Sequence, residues 1–157
     1  MFDYSEYLPY LNDSVDSLLD KFQESLLERV TIERIKEIRE ELKIYLNHFR
    51  NMKELKPDKV IDDHVGAILI SYMINPWLDI HDRDAHYNGC WYALWGDINK
   101  LPREVVKAKC SNKNPNDKRW TEICLMAVDE FYDSFGINHG GFIHNLLKMR
   151  KKRKSLI

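Results

Sequence analysis

From Thr31 to Phe49 one set of apolar side chains, Ile32, Ile35, Ile38, Leu42, Tyr45, Leu46 and Phe49, recurs every three or four residues, with Glu, Lys and Arg filling the positions between. Only a helix with 3.6 residues per turn gathers such a set onto one stripe. A stripe of that length must be covered, so the rest of the chain is read for elements that can cover it. Upstream, Asn12 or Asp13 can cap a helix whose Val15, Leu18, Leu19, Phe22, Leu26 and Leu27 share a face. Downstream, Pro57 suits the first turn of a helix carrying Val60, Ile61, Val65, Ile68, Leu69 and Tyr72, apolar enough to be mostly buried and expected to end near Asn75-Pro76.

The pattern then lapses. Leu78 to Asn88 has no sustained periodicity and reads as a loop or loosely helical turn, a candidate functional loop. Helical spacing returns from Gly89 to Leu101 with Trp91, Leu94, Trp95 and Ile98, and Pro102 opens a short helix through Val105 and Val106. Lys109 to Lys118 reads as a surface loop. Ile123, Ala127, Phe131 and Phe135 mark a helix from Trp120, stopped by Gly136, and a last one holds Phe142, Ile143, Leu146 and Leu147. No alternating apolar and polar run bounded by hairpin signals occurs. The expected fold is all-α, one domain over residues 1–157 with six or seven helices in a bundle. With 44% hydrophobic residues and 18 aromatic rings the chain has the apolar mass for a core.

The composition narrows the function classes. The longest nearly uncharged apolar run, Val65 to Ile74, is far short of the roughly 20 residues that cross a bilayer. Met1 to Glu6 lack the basic and apolar regions of a signal peptide, and the expectation is a cytoplasmic protein. Cys90, Cys110 and Cys124 form no Cys-x-x-Cys pair and read as reduced thiols. Charge is uneven. Residues 148–157 hold six basic side chains and no acid, a solvated, frayed tail, whereas residues 1–28 hold seven acids against Lys21 alone. An acidic front attracts basic partners and repels phosphate, so direct nucleic-acid binding is not expected.

Two catalytic constellations can be assembled on paper. His81-Asp82, with His48, His64 and Asp129, resembles the ligand set of an HD-type phosphohydrolase, in which a divalent metal would generate hydroxide. Glu130-x-x-Asp133, with a choice among Glu37, Glu40 and Glu41, resembles the magnesium-binding acids of all-α nucleotide pyrophosphatases, although a Glu-rich exposed helix face yields that spacing unaided. His139 and His144, five apart around Gly140-Gly141, do not share a helix face. No Gly-rich phosphate loop, Gly-x-Ser-x-Gly elbow or His-Glu-x-x-His is present.

Trp77-x-x-x-His81, Tyr87-x-Gly89-x-Trp91 and Gly96-x-Ile98-x-Lys100-Leu101 stand in a register that resembles the PoNi-type immunity proteins, which protect bacteria from polymorphic nuclease toxins. The resemblance spans residues 77–100. It departs at Tyr92, Ala93 and Leu94, where the family carries a Glu, and in lying well before the end of the chain. It implies an all-helical protein that binds and blocks a toxin rather than catalysing a reaction, with Trp77, His81, Tyr87, Gly89, Trp91, Gly96, Ile98 and Lys100 as scaffold positions; the acidic front suits a basic toxin, blocked by occlusion, and no cofactor or metal is expected. Two acidic surfaces are expected to meet the toxin: the first helix (Asp13, Asp16, Asp20, Glu24) and the loop (Asp79, Asp82, Asp84), with Trp77 and Trp95 as aromatic anchors. A regulator of another basic protein would use the same physics, and the metal-dependent phosphohydrolase on His81 and Asp82 is the alternative.

Overall fold

Among the described residues six long helices fall into two compact units that divide between Ile80 and His81. The computed structural model describes residues 6, 7, 9, 10, 14–52 and 58–135, without side chains at 58–60 and 135. Among these the protein is all-α with no strand. Asn12, Asp13, Pro57, Gly136, the helix expected from Phe142 to Leu147 and the basic tail lie outside the described residues.

The first unit packs α1 (Val15–Leu26), α2 (Ile32–Asn51) and α3 (Asp58–Ile74) in sequence. Ser14, rather than Asn12 or Asp13, caps α1: its hydroxyl accepts the Ser17 amide at 2.9 Å, because an extended Ser14 stands where the first orphan amides point. Thr31 caps α2 in the same way through the Arg34 amide. The expected stripes are largely buried, Leu18, Phe22 and Leu26 on α1 and Ile38, Leu42 and Leu46 on α2, and Phe22 and Leu26 line one small cavity together with Ile38 and Leu42. Tyr45 is half-buried, and two members are exposed. Leu27 falls just past the end of α1, and Ile32 is the first residue of α2; both belong to the α1–α2 turn and are exposed. On α3 the buried run Val65 to Tyr72 is continuous, so this helix is covered on nearly every side. It ends at Ile74, where Pro76 cannot continue it.

The second unit corrects two expectations. Leu78 to Asn88 is not a loop: apart from its first two residues it forms the first half of α4 (Ile80–Ile98). The periodicity is missing because the inner face of this helix is Arg83, Ala85, His86, Gly89, Cys90, Ala93, Leu94 and Gly96, correctly spaced for a helix but small or polar. Nor does a loop begin at Lys109, since α5 (Arg103–Lys113) extends through it and the connection is only Asn114–Asp117. Asp117 then opens α6 (Lys118–Phe135) by accepting the Trp120 amide at 2.9 Å.

Small residues on α4 set how closely its neighbours come. A Cβ at Gly89 would stand 2.3 Å from the Cys124 carbonyl oxygen and 2.6 Å from the Ala127 Cβ of α6, and one at Gly96 would stand 2.3 Å from a Val106 methyl of α5. Seven residues apart, the two glycines lie on one face of α4, one turned to each partner helix. Val106, Cys110, Cys124 and Val128 fill the space behind them, with Tyr92, Leu101, Trp120, Leu125 and Tyr132 packed around. The end of α4 is also defined. The Lys100 amide bonds the Asp97 carbonyl at 3.2 Å and the Leu101 amide bonds that of Gly96 at 2.8 Å, which is a Schellman cap with Lys100 in the left-handed conformation at φ 56°.

Candidate functional site

Within the first unit a buried arginine holds an exposed tryptophan in place. Arg34, in the first turn of α2, is nearly buried and uses all three guanidinium nitrogens. Nη1 reaches Glu41 Oε2 at 2.8 Å, Nε donates to the Pro76 carbonyl at 2.9 Å and Nη2 to the Leu78 carbonyl at 2.9 Å. Glu41 is held in turn by the Tyr72 hydroxyl of α3, which donates to Oε1 at 2.7 Å. A charge taken out of water costs several kcal/mol unless it is paired and hydrogen-bonded, and this set satisfies that condition. The carbonyls clamped by Arg34 flank Trp77, whose side chain is 57% exposed, with Asp79 and Ile80 also exposed beside it. Fixing the backbone on both sides orders the turn while leaving the indole on the surface.

The other expected contact residues have partners inside their own units. Asp16 lies 3.5 Å from Arg39 and 3.7 Å from Lys43, Asp20 lies 2.8 Å from Arg39, and Glu24 pairs with Lys21 at 3.6 Å. The acidic face of α1 is thus largely an ion-pair ladder across to α2. Asp13 lies outside the described residues. In the second unit Asp82 is bound by Arg119 at 2.8 Å, and that hydrogen bond holds its carboxyl below the ordinary carboxylate range. Asp84 is exposed on α4, where its carbonyl accepts from the Asn88 amide. Trp95 is half-buried, its ring parallel to that of Trp91 at 6.4 Å, with the Lys109 ammonium 5.3 Å from its centroid.

The positions expected as scaffold divide between the units. Trp77 belongs to the first. His81 is exposed at the start of α4, Tyr87 is half-buried, Gly89 and Gly96 make the close approaches, Trp91 stacks on Trp95, Ile98 is the last residue of the helix and Lys100 is its cap. From Tyr87 to Lys100 the register of the motif is the register of one helix and its stop. No family model, no curated protein and no solved structure matches this chain.

Two residues of the hydrolase set, Asp129 and His64, make other contacts. Asp129 is bound by Arg103 and, at 3.1 Å, by Lys107; burial would raise its carboxyl, but these two cations hold it below the ordinary range. His64 stacks on Phe49 in the first unit. Among the described residues no three His, Cys, Asp or Glu side chains gather around a point that a metal could occupy. Beneath α4 lies a buried polar group that the sequence did not announce. His86 Nε2 stands 3.4 Å from Glu130 of α6, its Nδ1 is 4.0 Å from the Cys90 thiol, and Arg83 is fully buried on the preceding turn. Burial lowers the affinity of His86 for a proton despite Glu130, and it pushes the Cys90 thiol well above its usual range, so this cysteine is no nucleophile at neutral pH.

Arg34 and Glu41 were also missed as site residues. The available signal was their spacing: opposite charges seven apart, on one side of Ile35, Ile38 and Leu42, lie on the edge of the buried stripe rather than on the solvent face.

Proposed function

We propose that this chain is a binding protein that neutralises a basic protein partner by occlusion, as an immunity protein does for a nuclease toxin. What carries the reading is the pre-ordered, exposed Trp77 between two backbone carbonyls held by buried Arg34. Interface energy concentrates in a few aromatic and Arg anchors, and an anchor ordered before binding avoids part of the entropy that association otherwise costs. Asp79 beside it gives the anchor an acidic flank, suited to a partner that displays Lys and Arg in order to hold nucleic acid. The resemblance of residues 77–100 to immunity proteins supplies the toxin.

The test uses the full chain, tagged and expressed in its native cell, as bait for mass spectrometry. A basic protein is expected in stoichiometric amount, toxic when expressed alone and harmless when expressed with the chain. W77A should lower its recovery and the protection at least tenfold while leaving the melting temperature unchanged. Protection undiminished by W77A would overturn the reading.

A further inference from the structure

The exposed indole is not isolated at its end of the first unit. Helices α2 and α3 run in opposite directions, and two contacts fix which ends meet: Arg34 reaches the Pro76 and Leu78 carbonyls, and Arg29 Nη1 lies 2.8 Å from the Met73 sulfur. The α1–α2 turn, the first residue of α2 and the Trp77 turn therefore share one end. That end carries three of the most exposed large apolar side chains among the described residues, Ile32 at 63%, Trp77 at 57% and Leu27 at 52%. Isolated exposed apolar residues are ordinary, but several gathered at one end mark a surface that meets something.

The charges at this end differ from those on the α1 face. Asp16, Asp20 and Glu24 are ion-paired within the unit, whereas Glu28 and Glu33, which alternate with Leu27 and Ile32, are exposed and within ion-pair reach of no described basic side chain. Asp79, which has a contact of its own, is a third exposed acid beside Trp77, and Arg29, exposed next to Glu28 with its Nη1 at the Met73 sulfur, leaves the rim acidic on balance. An apolar centre with an acidic rim is complementary to a surface with an apolar centre and a basic rim. The same rim disfavours anionic phospholipid headgroups and nucleic acid.

We infer that Leu27, Ile32 and Trp77, rimmed by Glu28, Glu33 and Asp79, form one docking surface for a protein segment that presents an apolar stripe flanked by Lys and Arg. This rests on the binding-protein reading and extends it from one anchor to a defined partner chemistry.

The probe is a fluorescein-labelled helical peptide of about fifteen residues with a Leu stripe and Lys/Arg flanks, set against a twin of the same stripe with Glu flanks, both titrated into the full-length protein by fluorescence anisotropy. The basic peptide is expected to bind at least tenfold more tightly than its twin and to weaken several-fold between 0.05 and 0.3 M salt. W77A and I32S should each weaken it about tenfold, and E28K/E33K should reverse the preference between the two peptides while the melting curve stays in place. Equal binding of both peptides, or none, overturns the proposed partner chemistry. If W77A weakens the basic peptide and I32S and E28K/E33K do not, the single-anchor reading stands and the extended surface falls; if W77A has no effect, both fall.

Discussion

Helices α2 and α4 are nearly equal in length, 20 and 19 residues, and bury their inner faces by opposite means. In α2 the buried face is a stripe of Ile, Leu and Phe with a buried ion pair at its edge, where Arg34 meets the Pro76 and Leu78 carbonyls of a turn. In α4 the buried face is Arg83, His86, Cys90 and a series of Gly and Ala, while Trp91, Tyr92 and Trp95 lie half-buried to the side. The first gains stability by removing large apolar area from water. The second gains it by letting neighbouring helices approach until their backbones touch small side chains, where dispersion contacts accumulate. A helix of the second sort carries no hydrophobic stripe, although it is no less buried.

The largest way to break that contrast is at Arg34. R34M leaves the Glu41 carboxylate buried without its cation and should cost about 3–5 kcal/mol in urea unfolding, with greater mobility of the Trp77 turn visible in time-resolved fluorescence anisotropy. On α4 the corresponding test is steric. G89A drives a Cβ into a backbone carbonyl and should cost about 1–3 kcal/mol or more. G96A meets only a methyl of Val106, so the double variant G96A/V106A should show a favourable coupling of about 1 kcal/mol or more in a double-mutant cycle. No single side-chain truncation should rescue G89A in that way, and if one does, backbone contact is not what limits the approach of α6.

Smaller effects sharpen the picture. The buried His86 resists a proton that the unfolded chain takes up below its ordinary pKa of 6.5. Its contribution to stability is therefore intact above that pH and is lost as pH falls from 6.5 toward the depressed folded value. Urea midpoints measured from pH 7 to pH 5 should fall for the native protein and fall less for H86Q; parallel slopes would remove His86 as the cause. Last, Lys100 holds a left-handed conformation that glycine adopts without penalty, so K100G should raise stability by about 0.5–1 kcal/mol.

The same contrast accounts for what could be read from the chain. The stripe on α2 was legible because its buried residues differ from their neighbours in hydropathy, and Thr31 announced the start. The fold class followed from such stripes. The first half of α4 was hidden because Arg83 and His86 are types that ordinarily face water, and only the three-dimensional packing turns them inward. Ile32 and Leu27 erred in the other direction: each fits the period of its helix, but at a terminus the period continues past the point where a neighbour covers it. Trp77 was legible as an anchor candidate by type. That Arg34 orders its turn from more than forty residues away was not, because hydrogen bonds to carbonyls leave no mark on the sequence of the residues that supply them.

That distance in sequence has a consequence for assembly. Both turn contacts of Arg34 join segments 42 and 44 residues apart, so the Trp77 turn acquires its shape only after α2 and α3 have met. Under the proposed function, recognition through this turn would select chains that have completed their folding. A partner of the proposed kind at a hundred times its dissociation constant would return about 2.7 kcal/mol to the folded state, so the fraction of chains open to degradation would fall as partner accumulates.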